Sequence, residues 1–287
     1  FVRQLAAVET LGSVQVVCVD KTGTLTVNRM TVTAVQVGLL GYGVHAGKFN
    51  DEHARSSVPA DGDLECLLRI SVLCNEVELA EEQGVFVLRG SPTESALVQL
   101  ALDSGFDVRR CRTGQPCLHM KRRSQTRSYM ATLHERQDGK KWLAVKGRPS
   151  EVLGMCSSYL RDGQQLPLRD AERAQIENDN ERMAGRALRV LGFAYSEQPG
   201  GDDDNPSDLV WVGLVGMQDP PRQGVNEVIK RFRRAGVRTI MITGDQSATA
   251  QAVGRQVALS ENGQLEIVDS TRLDRIEPPV LSALAQR

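Results

Sequence analysis

A short apolar run, Val14-Gln15-Val16-Val17-Cys18-Val19, ends abruptly in Asp20-Lys21-Thr22-Gly23-Thr24-Leu25-Thr26. The run is β-branched and apolar at both parities, which is the pattern of a strand buried on both faces of a parallel sheet. A carboxylate at the C-terminal end of such a strand stands where open α/β sheets hold their ligands. The small hydroxyl and glycine residues behind it expose backbone N–H groups that can cradle an anion.

A parallel strand needs a partner reached by a crossover, and the far end of the chain carries that pattern. Leu209-Val210-Trp211-Val212-Gly213-Leu214-Val215 reads as a strand and leads into Gln218-Asp219-Pro220-Pro221-Arg222. Val225, Val228, Ile229 and Phe232 then fall on one helix face, and Gly236 stands in a helix-stop position. Val237-Arg238-Thr239-Ile240-Met241-Ile242 is the next strand, ending in Thr243-Gly244-Asp245, and Ala250, Val253 and Val257 stripe a second helix. This alternation predicts an α/β fold with a doubly wound parallel sheet. The block between the two halves mixes helical stretches (64–74, 93–104, 170–188) with strands (85–88, 129–134, 142–145). The expectation is an α+β domain at 33–208 inserted into an α/β domain made of 1–32 and 209–287.

Composition excludes several classes. Lys+Arg 35 against Asp+Glu 36 leaves a formal charge of -1, so no net pull toward nucleic acid exists. No apolar run approaches the roughly 20 residues that span a bilayer. The six cysteines, Cys18, Cys66, Cys74, Cys111, Cys117 and Cys156, form no CxxC and have no matching His spacing, which favours a reducing compartment over a zinc site. The chain opens on Phe1 without an initiator Met, as a piece of something longer would.

Asp20 carries the chemistry. A carboxylate can attack phosphorus to form an acyl phosphate, but it repels a polyphosphate unless donors and a divalent cation neutralise the charge. The whole heptapeptide from Asp20 to Thr26 resembles the phosphorylation motif of the P-type ATPases, ion pumps of the haloacid dehalogenase-like superfamily. Its flanks, Val8-Glu9-Thr10-Leu11-Gly12 and Asn28-Arg29-Met30-Thr31-Val32, are similar to the family's as well. So, in family order, are Leu73-Cys74-Asn75, Ser91-Pro92-Thr93-Glu94-Ser95-Ala96-Leu97, Tyr129-Met130-Ala131-Thr132-Leu133-His134, Lys146-Gly147, Leu188-Arg189-Val190-Leu191, Asp219-Pro220-Pro221-Arg222 and Met241-Ile242-Thr243-Gly244-Asp245.

The resemblance implies roles residue by residue. Asp20 would take the γ-phosphoryl of ATP. Lys21 and Thr22 would border the phosphate, and Asp20 with the Thr22 carbonyl would hold Mg²⁺. Thr243, Gly244 and Asp245 would meet the phosphoryl end. In an inserted nucleotide-binding domain Lys146 and Gly147 would line the adenine pocket, Glu94 would contact the base, and Arg189 would reach the polyphosphate. Asp219 and Arg222 would lie near the ribose and the interdomain hinge. The implied parent is a membrane-embedded pump whose transported cation binds in membrane helices, with calcium as the guess. This piece would be monomeric, cytoplasmic and incomplete in its phosphorylation domain, so it would bind ATP with little phosphoenzyme formation.

Thr22 separates a pump from a phosphatase on chemical grounds. A phosphatase of this type needs an acid two residues after the nucleophile, and such a general acid–base is worth about 10²–10⁴-fold. Threonine cannot supply it, so the acyl phosphate would persist. A soluble phosphatase or phosphotransferase of the same superfamily and a non-catalytic nucleotide-binding module remain the alternatives. Three departures accompany the likeness. Arg122 or Arg123 stands near the place of an adenine-stacking aromatic, Ser91 replaces an acid, and Arg148 and Ser150 alter the segment after Lys146. Arg109, Arg110, Arg112, Lys121, Arg122, Arg123 and Arg127 make a basic cluster, read as a solvated loop in preference to an anion-binding patch.

Overall fold

The computed structural model describes residues 12–51, 61–82, 85–197, 206–244 and 247–268. It divides into two compact units, one formed by Phe1–Asn28 with Pro220–Arg287 and the other by Arg29–Asp219.

In the first unit β1 (Val16–Asp20) pairs in parallel with β14 (Arg238–Ile242), in a register that sets Val16 against Arg238 and Asp20 against Ile242. The crossover between them ends in the helix Val225–Arg234, and the helix Ser247–Gln256 follows β14. Gly224, at φ 82°, admits the first helix, and Gly236, at φ 76°, ends it. Arg231, Arg233 and Arg234 in its last turn complement the negative end of the helix dipole. Ile229, Val253 and Val257 pack with Leu25 into one small core against Val19 and Met241.

Two sequence expectations change here. Val228 is exposed, so the buried stripe of the first helix is narrower than its spacing predicted. The β1 segment is covered on one face only, for Cys18 and Asp20 are exposed and so are Ile240 and Ile242 of β14. Both helices serve the covered face, so among the described residues the sheet is not doubly wound.

The second unit is a mixed α/β fold around a largely antiparallel sheet. Its strands are β2 (Thr31–Val37), β3 (Leu40–His45), β4 (Lys48–Asp51), β7 (Cys117–Lys121), β8 (Tyr129–Glu135), β9 (Lys141–Gly147), β10 (Cys156–Arg161), β11 (Gln164–Pro167), β12 (Arg189–Ser196) and β13 (Leu209–Gln218), while β5 (Glu78–Glu82) and β6 (Val85–Arg89) form a separate hairpin. The order across the sheet is β4-β3-β2-β13-β12-β9-β8-β7, with β10 lying parallel to the first half of β13. Helices Asp61–Leu73, Pro92–Asp103 and Val108–Gly114 cover one face with Leu67, Ile70, Leu97 and Val108. Helices Pro149–Gly154 and Asp170–Gly185 cover the other with Val152, Ile176 and Met183, against Trp211 and Leu214.

The strand at Leu209–Gln218 corrects the expected domain boundaries. Its pattern places it in the parallel domain, yet it runs through the middle of the antiparallel sheet, antiparallel to both β2 and β12. A strand covered on both faces is apolar at both parities whichever way its neighbours run, so its pattern cannot tell the two sheets apart. The boundaries fall at 28/29 and 219/220 instead of 32/33 and 208/209.

Candidate functional site

In the first unit the parallel register does the positioning. Asp20 is the last residue of β1 and faces Ile242, the last of β14, so Thr243 and Gly244 leave the sheet at the same end as Lys21 and Thr22. Asp245 lies outside the described residues. Asp20 and Thr22 are exposed, whereas Lys21 is buried. The chain after Asp20 folds back as a tight loop over Lys21–Leu25 in which Gly23 takes φ 77°, a region that favours glycine. Thr26, fully buried, closes it: its N–H and its hydroxyl both donate to Lys21 O, at 3.1 and 3.2 Å, and its Oγ1 accepts from Gly23 N.

Asp219 and Arg222 both act on main chain. Asp219 Oδ1 accepts from the backbone N–H of Arg29 at 3.1 Å, within the second unit. Arg222 donates to carbonyls of the Asp20 loop, within the first.

In the second unit Lys146 and Glu94 form an ion pair of 2.5 Å, with Lys146 3% and Glu94 17% exposed. Sheet register delivers Lys146, opposite Met130 of β8 and Phe193 of β12. A helix start delivers Glu94. Ser91 is the N-cap, its Oγ accepting from the N–H of Glu94 at 3.3 Å, and Pro92 occupies the first turn. The replacement of an acid by Ser91 is therefore met by a local task. Asn75 ties the helix Asp61–Leu73 to this helix start: its Nδ2 donates to Ser71 O at 2.9 Å and Glu94 O at 3.0 Å, and its Oδ1 accepts from Val77 N. Gly147 sits where a side chain would strike Tyr129, and it pairs with Gly192 on β12. Arg189, exposed, starts β12 three residues before Gly192, roughly 10 Å along the strand from Gly147.

A buried polar row continues beneath the pair. Cys74 donates Sγ–H to Met130 O at 3.4 Å, and burial pushes its thiol up to about 11, against the pull of Lys146. Thr132 and His134 follow on β8, His134 bonding Thr132 Oγ1 through Nε2 and Gln115 O through Nδ1. Cys74, Thr132 and His134 all lie within motifs quoted from the sequence, but nothing in the spacing of single residues marked them as one row.

The basic cluster does not survive as one patch. Arg112 donates to Val72 O and Val77 O, the latter at 2.7 Å, finishing the helix Asp61–Leu73. Arg122 pairs with Glu76. Arg127 lies 5.6 Å over the Tyr129 ring and donates to Arg122 O. Arg109, Arg110 and Arg123 are exposed. A cleft of about 490 Å³ lies at the other end of β8, lined by Arg69, Arg110 and Arg136, two of which are already paired with Glu65 and Glu197.

Comparison with known proteins gives a consistent picture. A family model described as P-type ATPase, cytoplasmic domain N, matches residues 63–224. A calcium-transporting ATPase of Bacillus subtilis is 33% identical over 295 residues, covering 99% of this chain and 33% of the relative. The cation-transporting ATPase pma1 of Synechocystis is 35% identical, covering 99% and 33%. Human sodium/potassium-transporting ATPase subunit alpha-4 is 32% identical, covering 91% and 27%. The chain thus spans about a third of the length of the curated relatives it matches.

Proposed function

Since the chain belongs to the P-type ATPases, we propose that it is the ATP-binding and phosphoryl-accepting part of a cation pump. The Arg29–Asp219 unit takes ATP at Lys146, Glu94 and Gly147, with Arg189 reaching toward the polyphosphate. The unit built on β1 and β14 is the haloacid dehalogenase-like phosphorylation domain, and Asp20 is its nucleophile. A carboxylate oxygen of Asp20 bonds the γ-phosphorus as the bond to the β–γ bridging oxygen breaks. ADP leaves with the electron pair, and an acyl phosphate remains.

The observation that carries this reading is the parallel register of Asp20 with Ile242, which brings an exposed carboxylate to the same sheet end as Thr243 and Gly244. Hard oxygens from Asp20 and the Thr22 carbonyl suit a Mg²⁺ ion, which keeps most of its water and needs one or two protein ligands beside phosphate. When bound, Mg²⁺ offsets the repulsion between the carboxylate and the polyphosphate. Thr243 donates its hydroxyl to the phosphoryl group, and Thr22 supplies no acid to hasten its loss. The names of the relatives, calcium-transporting and sodium/potassium-transporting, support a cation as the cargo.

Titration calorimetry of ATP into the chain tests the nucleotide half. Binding that weakens at least about tenfold in Lys146→Met supports the site, as expected for a lost charge-assisted contact; unchanged binding overturns it.

A further inference from the structure

The loop that follows Asp20 is gripped by one residue from across the unit. Arg222 donates Nε–H to Gly23 O at 3.1 Å and to Thr26 O at 3.0 Å, and Nη2–H to Gly23 O at 2.6 Å. Its backbone N–H donates to Leu25 O at 2.8 Å. Three carbonyls within four residues, Gly23, Leu25 and Thr26, therefore accept from Arg222. The neighbours of Arg222 reinforce the grip, with Thr26 bridged to Pro221 and Val27 N donating to Pro220 O at 3.0 Å.

This grip has a directional consequence. A planar trans peptide points its C=O and its N–H to opposite sides. Fixing the Gly23 carbonyl against Arg222 turns the N–H of Thr24, the other end of that peptide, away from Arg222. The backbone on either side of that grip is non-helical, Thr22 at φ -77°, ψ 122° and Gly23 at φ 77°, ψ -13°. A guanidinium suits the task because its planar fork reaches two carbonyls at once, which an ammonium cannot match. Two of its three nitrogens are committed here, so its first task is the loop.

We propose that Arg222 is a positioning residue for the Asp20 loop, holding the Gly23 and Thr26 carbonyls on its own side so that the Thr24 N–H is presented to a phosphoryl group on Asp20. The proposal rests on Asp20 being the phosphoryl acceptor, and the test separates the two ideas.

The experiment is NMR on the isotope-labelled chain and its R222A and R222K variants, with and without low-millimolar guanidinium chloride. The Ile229 and Val253 methyl signals monitor the fold of the unit. Fluoroberyllate with Mg²⁺ then serves as a phosphoryl mimic that coordinates a carboxylate oxygen. The expected result is that R222A moves the Gly23 and Thr26 carbonyl signals and the Thr24 amide while the methyls stay in place. Fluoroberyllate binding, read at Thr24, falls about tenfold, the scale of a few lost charge-assisted hydrogen bonds. Guanidinium restores signals and binding together, and R222K restores them poorly. Binding in R222A equal to the original chain's overturns the positioning role and leaves Asp20 as acceptor. Loss in R222A that guanidinium does not mend, with displaced methyls, overturns it as well, in favour of general destabilisation. A chain that does not respond to fluoroberyllate, or whose response persists in D20N, overturns the reading of Asp20 and the positioning role with it; the carbonyl signals then report the bare contact alone.

Discussion

Lys146 and Glu94 meet at 2.5 Å with the lysine almost wholly buried and the glutamate mostly so. Pairing offsets the cost of burying both charges, but the two partners are not equivalent. Glu94→Gln strands an ammonium in the interior, and breaking a buried pair from one side typically costs about 3–5 kcal/mol. Lys146→Met leaves the less buried carboxylate, with a flexible apolar chain filling the lysine's space. We expect Glu94→Gln to lose about 3 kcal/mol or more and Lys146→Met distinctly less. Urea unfolding followed by Trp142 and Trp211 fluorescence, both in this unit, measures the difference; equal losses would contradict it. The asymmetry also makes Lys146→Met the cleaner variant for ATP binding.

Asp63 is a buried carboxylate held by backbone donors. It is 2% exposed, and its two oxygens accept from the N–H groups of Asp162 and Gly163, both at 2.8 Å. Those residues turn the β10–β11 hairpin with positive φ, 52° and 73°, as a two-residue Asp-Gly loop does. Asp63→Asn turns one acceptor into a donor that faces an N–H. The expected loss is about 2–3 kcal/mol, the range for hydrogen bonds to charged groups plus an unsatisfied donor. The same fluorescence-monitored unfolding checks it, with amide exchange at Gly163 reporting whether the hairpin loosens first.

Legibility in the sequence depended on whether a signal was local. The helices at Asp61–Leu73, Pro92–Asp103 and Asp170–Gly185 lie close to where the sequence placed them, and Ser91-Pro92 with Glu94 is a start signal that one segment contains. The parallel partnership of the Val16 and Arg238 strands also followed from pattern, because each run stops in a polar turn. Which sheet owns Leu209–Gln218 is decided by its partners β2 and β12, both earlier in the chain and β2 far outside any local window. Arg112 looked like one more solvated cation. Its role at Val72 O and Val77 O depends on two elements meeting, and the burial this brings lowers its pKa. Asn75 and Glu94 were visible as motif members; that one holds the backbone of the other was not.

His134 predicts a pH dependence. It is 2% exposed, bonded to Gln115 O and Thr132 Oγ1, with Trp142 6.5 Å away. Burial lowers its pKa from the usual 6.5, with carbonyl contacts from Gln115 and Leu73 opposing only in part. The neutral ring is the folded form, so its stabilising contribution is complete above pH 6.5. Below that value the unfolded chain takes up a proton that the folded chain refuses, and stability falls toward the folded-state pKa. Comparing unfolding free energies at pH 7.5 and 5.5 for the original chain and His134→Gln, we expect a smaller loss in the variant. Equal losses would show that the His134 ring takes up its proton alike in the folded and unfolded chain.

Gly147 couples packing to the nucleotide site. Its φ is not positive, so the constraint is space: a Cβ there would stand 2.5 Å from Tyr129 Cα and Cβ and 2.6 Å from Ser128 O. Two of these are backbone atoms of β8 and its approach and the third is the Cβ bonded to one of them, all fixed by the register that sets Tyr129 against Gly147 and Met130 against Lys146. Gly147→Ala can be relieved only by separating β9 from β8, which drags Lys146 from Glu94. The expected cost is about 1–3 kcal/mol, the range for overpacking, with weaker ATP binding. Gly154 is the control, since nothing lies within 4 Å of a Cβ there and it ends the helix Pro149–Gly154. Gly154→Ala is expected to be neutral or slightly stabilising, because alanine is the better helix former. If the two substitutions prove alike in stability and in nucleotide affinity, the close approach of β9 to Tyr129 is not what holds Lys146 in place.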